Sequence, residues 1–190
     1  MPVELIAFTA DLRIHGQIPL ADDRLSDMLN SVSRVIVRRA TVHDLVEGGP
    51  GHVVDLALPI GEIVAVLAAG RRGAEARRRR TVLHRARVGL TRFVVSGMLH
   101  VPVGQDGRVT SSDPAVVLAG RDLLVPLTDA TISYDRGDEP SSEAAETILV
   151  NRGHARWIDL DDEAGGDDEL HVERARVYHA AMAKDFTGAS

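Results

Sequence analysis

Apolar and polar residues alternate along two stretches of this chain that read as one phrase written twice. In residues 8–20, FTADLRIHGQIPL, Leu12, Ile14, Ile18 and Leu20 fall on every second position. In residues 89–101, GLTRFVVSGMLHV, Phe93, Val95, Leu99 and Val101 do the same, and a shift of 81 positions lays Gly16 on Gly97. Alternation of this kind is the period of a half-buried strand. A glycine inside the apolar row points to a bulge, a bend or a backbone passing close. Each phrase is therefore expected to form a long strand, the first over about residues 5–20.

The segments after the two phrases are also similar. Leu25, Met28, Leu29 and Val32 recur at helical spacing after Asp22-Asp23, whose carboxylates suit an N-cap, and predict a short helix. Residues 35–45 are rich in Val and Ile and read as a strand. Glu47-Gly48-Gly49-Pro50-Gly51 is a strong turn, and residues 52–58 and 60–67 read as further strands separated by Pro59. In the second half, Asp113-Pro114 to Gly120 has the cap, first-turn proline and exit glycine of a brief helix. LLVPLTDATISY (123–134) reads as a strand, and Arg136 to Ala144, with Pro140, as a polar loop. Glu146 to Val150 and His154 to Leu160 read as closing strands.

This order predicts a β-rich α+β fold of two tandem related units, each strand, short helix, hairpin and strand. The expected divisions are residues 1–67 as a first β-rich unit, 68–84 as an Arg-rich connector and 85–160 as a second β-rich unit. Residues 161–190 form an acidic linker, DDEAGGDDE, and a C-terminal helix over 170–184. The phrases RLSDMLN, LLVPLTDATISY and TILVNRGH resemble an uncharacterised bacterial family with a glycine-bearing strand, a likeness strongest over residues 80–160 that implies no particular activity. More distantly, the element order is similar to Sm-like and other SH3-like barrels, which implies that each unit is a small barrel.

Composition narrows the partners. The apolar share of 44% beside 26% charged residues is that of a globular chain, so wholesale disorder is not expected. Without cysteine there are no disulfides, thiolate metal sites or cysteine nucleophile. No charged and apolar leader opens the chain, and no apolar run approaches the ~20 residues of a membrane helix, so a cytoplasmic protein with no membrane insertion is expected. Lys184 is the only lysine among 22 basic residues, which fits a GC-rich bacterial genome. The net charge of −6 divides into −4 over residues 1–67, +8 over 68–92 and −10 over 93–190. An acidic balance over most of the chain counts against a general nucleic-acid binder.

Two groups of residues are candidate sites. The first is the basic run Arg77, Arg78, Arg79 and Arg80, continued by Arg85 and Arg87. Guanidinium forks match phosphate oxygens, though no aromatics interleave with these arginines for base stacking. The second is a polar strand-end group, Thr128 and Asp129 with Asn151 and Arg152, at corresponding ends of expected strands. The eight histidines include no i, i+2 or i, i+4 pair, so no metal site is expected, and no cofactor motif occurs. No nucleophile, base and orienting group can be gathered by spacing, which points away from an enzyme. The expected function is a non-catalytic binding or assembly module, a homo-oligomer (most simply a dimer held by residues 170–184) or a partner of another protein. The alternative is a phosphate-ligand sensor or RNA-binding protein using the segment Arg71 to Arg92.

Overall fold

The computed structural model describes residues 2–20, 24–68, 81–102, 120–136 and 139–161. The first phrase is a hairpin rather than one long strand, β1 (Pro2–Phe8) and β2 (Leu12–Pro19). Thr9 makes the turn. Its amide donates to the Leu12 carbonyl at 2.9 Å, and its hydroxyl accepts from the Leu12 amide at 3.1 Å. A single short helix follows among the described residues, α1 (Leu25–Ser31), which buries Leu29 completely. Arg24 stands at its N-cap without capping it through its side chain, and the expected caps Asp22 and Asp23 lie outside the described residues. Next come β3 (Arg34–Asp44), β4 (Pro50–His52), β5 (Asp55–Pro59), a 3₁₀ turn at Ile60–Glu62 and β6 (Ala65–Ala68). The second phrase is likewise a hairpin, β7 (Thr81–Leu90) and β8 (Phe93–Pro102). It leads to β9 (Leu124–Arg136), β10 (Glu139–Asn151), a 3₁₀ turn at Arg152–His154 and β11 (Ala155–Asp161).

These strands form one 11-stranded sheet in the order β11-β7-β8-β9-β10-β6-β1-β2-β3-β4, with β5 also on β3, and every described pairing is antiparallel. This overturns the expected α+β fold of two units. The fold is mostly β, and its halves are continuous through β6, which pairs with β1 on one side and β10 on the other. Four residues make that seam, Ala65–Ala68 against Thr147–Val150. Periodicity identifies strands but carries no record of which edge meets which, so nothing in the sequence announced the seam. The expected loop at 136–144 is also strand. Glu143 pairs with Ile132 and Ser141 with Tyr134, while Pro140 sits near the hairpin end, where a missing amide is tolerated. The expected helices at 113–120 and 170–184 lie outside the described residues.

Two apolar cores lie on the opposite faces of this sheet. Along β6, Ala65 and Leu67 belong to one core and Val66 to the other. Along β10, Ile148 and Val150 join the first and Leu149 the second. Strands buried on both faces lose the polar alternation of a one-sided sheet, which is why AVLA and TILV read as continuous apolar runs. Phe8, Phe93 and Tyr134 meet in the first core with ring centroids 5.2–5.8 Å apart. Ile14, Ile18 and Leu29 fill the second.

The two glycines of the repeated phrase occupy matching local settings. Between the pairs His15–Thr41 and Gln17–Arg38, Gly16 alone faces Arg39 and Ala40. Between Ser96–Thr131 and Met98–Thr128, Gly97 alone faces Asp129 and Ala130. Each is opposed by a β-bulge, an extra residue on the partner strand. A Cβ on Gly16 would lie 2.5 Å from Val37 Cγ1 and 2.9 Å from the Arg38 carbonyl. One on Gly97 would lie 2.7 Å from Ala130 Cβ. The extra residues Arg39 and Asp129 have φ of 50° and 48°, the left-handed conformation that favours glycine.

Candidate functional site

Arg77 to Arg80 lie outside the described residues. Arg85 and Arg87 are exposed on β7, and the ladder to β11 pairs each with an acidic position, Arg85 with Asp161 and Arg87 with Asp159. Arg87 also places its guanidinium 6.0 Å from the centre of the Trp157 ring, within cation–π range. That ring in turn covers Gly89, where a Cβ would come within 2.0 Å of it. Arg92, in the turn between β7 and β8, donates to the Asp135 carbonyl at 3.0 Å and lies 3.9 Å from Asp11. The described arginines of the basic segment thus sit among acidic positions and carbonyls of neighbouring strands.

The polar strand-end group is not gathered into one place. Thr128 pairs with Thr147, whereas Asn151 pairs with Leu124, four positions along the same ladder. At the rise of a strand that separates them by about 13 Å. Each has local work. The Thr128 hydroxyl bonds to His100 Nε2 at 2.8 Å, while His100 Nδ1 meets the Thr81 hydroxyl at 3.2 Å, so the imidazole bridges β7 and β9. Burial lowers the His100 pKa from its ordinary value, with Asp129 opposing. Asn151 is buried. Its amide donates to the Ile63 carbonyl at 2.6 Å, and its oxygen accepts from the Gly153 amide at 2.9 Å. It closes the 3₁₀ turn at 152–154 and fastens it to the exit of the 3₁₀ turn at 60–62. Asp129 is exposed at its bulge, and the Arg152 amide donates to the Leu123 carbonyl at 3.0 Å.

The most developed polar network was invisible to spacing. Arg13 on β2 donates from Nε to Glu143 Oε1 at 2.8 Å and from Nη2 to Oε2 at 2.9 Å, and the Tyr134 hydroxyl donates to Oε1 at 2.6 Å. It ties the outer arm of the β9–β10 hairpin across the β1–β2 hairpin. The Arg13 bonds hold the Glu143 carboxyl below its usual range against the opposing effect of burial. Burial, followed by the bond to Glu143, pushes the Tyr134 phenol up to about 12.

Clefts open on the surface of the described residues. One, of about 460 Å³, lies where β6 ends and β1 and β10 run on. Glu4, Ile6, His15, Leu67, Glu143 and Glu146 are among its lining residues, which makes it acidic. Another, of about 410 Å³, is lined by Pro2, Gln17, Ile18, Pro19, Arg38 and Arg39. Among the described residues no group of three or more His, Cys, Asp or Glu side chains is arranged to hold a metal ion. None of their helices is long and apolar enough to cross a membrane.

No protein-family model, curated protein or solved structure matches this chain.

Proposed function

We propose that this chain is a non-catalytic binding and assembly module that joins copies of itself through the open edges of its sheet. The observation that carries this reading is the edge beyond β3. There β4 pairs with Thr41–His43 and β5 with Arg34–Arg38, so the edge is one strand interrupted at Val53-Val54. Solvated sheet edges are ordinarily blunted by charge, because an unpaired row of backbone groups recruits other strands. Here Val54 is 84% exposed, and Val53 beside it is exposed as well. At the opposite end, β11 pairs among the described strands only with β7.

Chemistry is not what the clefts offer. Neither is lined by a hydroxyl beside a base, and Glu143 is held by Arg13 and Tyr134. Phosphate or RNA binding through Arg71 to Arg92 is supported less well, because Arg87 lies over the Trp157 ring and Arg92 donates to the Asp135 carbonyl. Hydrogen exchange at two protein concentrations tests the assembly reading. Amides of residues 50–59 and 155–161 should exchange more slowly in concentrated than in dilute protein. Equal exchange at both concentrations would remove it.

A further inference from the structure

We propose that the cleft between the ends of β1 and β2 and the bulge of β3 binds a phosphate-bearing small molecule, held by Arg38 and Arg39.

In a regular strand, parity alone decides which side chains point out. Val35 and Val37 point into the core and Arg38 points out, so an unbroken strand would turn residue 39 inward. It does not. The bulge opposite Gly16 inserts one residue, Arg39 takes φ of 50°, and Ala40 occupies the inward place instead. Two consecutive arginines therefore line the same cleft, an arrangement that regular strand geometry forbids. Bulges re-aim side chains in this way, and they recur beside functional sites. The fold requires a residue there in the left-handed conformation, which glycine would supply without strain. A long cation held in that conformation is a local cost that the packing of the bulge does not explain.

The surroundings suit an anion. The Arg39 amide donates to the Val54 carbonyl at 2.8 Å and Arg38 pairs with Asp55 on β5, so the main chain beneath both side chains is fixed. Neither guanidinium has a hydrogen-bond or ion-pair partner among the described residues, Asp55 included. Among the described residues no carboxylate lines the cleft, whereas the cleft of about 460 Å³ carries Glu4, Glu143 and Glu146. Two guanidinium forks provide the parallel donors that phosphate oxygens accept, and the half-buried Gln17 adds an amide. Pro2, Ile18 and Pro19 supply apolar walls, and about 410 Å³ falls within the range of small-molecule sites. The ligand class is thus a phosphomonoester on a small apolar or planar group. At the corresponding bulge in the second half, Thr128 is engaged by His100 and Asp129 carries the opposite charge, so no such site forms there.

The test is an amide NMR titration of the full chain with phenyl phosphate at low salt, beside inorganic phosphate and phenol as its two halves. Saturable shifts are expected at Gln17, Arg38 and Arg39, at lower concentration for phenyl phosphate than for either half. Arg38→Gln and Arg39→Gln should each weaken binding about tenfold or more. Arg34→Gln, outside the cleft on the same strand, should leave it unchanged. Arg39→Gly keeps the left-handed backbone and should lose affinity as Arg39→Gln does, which separates the guanidinium from the fold. Shifts that never saturate, that fall elsewhere in the chain, or that respond equally to Arg34→Gln would overturn the proposal.

Discussion

Arg13 and Glu143, 130 residues apart, are joined by two parallel hydrogen bonds of 2.8 and 2.9 Å. The sheet order separates β2 from β10 by two strands, so the pair also records how strongly the sheet curls. Both side chains are about a quarter exposed, at 24% and 23%, which leaves the pair only partly screened. Arg13→Met or Glu143→Ala should each cost about 1–3 kcal/mol, the range for hydrogen bonds to charged groups that leave a partner behind. Urea denaturation of the two single variants and the double variant gives the coupling. Additive losses would show that the pair contributes nothing as a pair.

The same network sets both ends of the pH profile. Glu143 is ionised in the folded state below the ordinary carboxylate range, so its contribution is complete above about pH 4.3 and is lost as pH falls through the lowered folded value. Tyr134 works in the other direction. Its folded pKa is raised to about 12, so its contribution is complete below the unfolded value near about 10 and is lost as pH rises towards the folded one. Tyr134→Phe should flatten the alkaline limb of the melting profile and also reduce the acid limb, since its hydrogen bond helps to lower Glu143, while the Arg13 bonds keep part of that limb.

His100 adds a separate loss nearer neutrality. Its pKa is lowered by burial, so the neutral ring between Thr81 and Thr128 stabilises fully above about pH 6.5 and less as pH falls through the folded value. His100→Gln should diminish that segment of the profile, leaving what His43, also lowered by burial and by Arg13, contributes. A wild-type melting temperature that stays level from pH 7 to pH 5 would contradict this assignment.

The bulges allow a sharper mutational contrast. Gly16→Ala and Gly97→Ala bring a Cβ within 2.5 Å of Val37 and 2.7 Å of Ala130, and each should cost about 1–3 kcal/mol as overpacking. Arg39→Gly should instead raise stability by up to about 1 kcal/mol, because left-handed strain outweighs the entropy glycine adds to the unfolded chain. Asp129→Gly should gain less, since aspartate tolerates that conformation. Thermal melts of the four variants decide the signs.

Part of this could be read from residues alone. The repeated glycine in an apolar row pointed to a bulge, a bend or a close backbone; the extra residue lies on the facing strand, where the consecutive polar pairs Arg38-Arg39 and Thr128-Asp129 mark the slip of phase. Thr9 and Asp11 within the first phrase were signs of a turn, masked by alternation that runs through the hairpin without a break. The pairing of β6 with both β1 and β10 left no mark, because a strand buried on both faces is a plain apolar run whichever neighbours it has. Glu143 was equally hidden. Its role depends on an arginine that only the curl of the sheet brings to it.

The most direct test of self-assembly through open edges is sedimentation velocity on the full chain across a concentration series, beside the double variant Val54→Lys, Ala57→Lys. Both positions are exposed at the interrupted edge, so the lysines should leave the fold intact while charging the surface against strand pairing. Wild-type protein should sediment as an oligomer at tens of micromolar and the variant as a monomer. A monomeric wild type over that range, or a variant that sediments identically to an oligomeric wild type, would contradict the account.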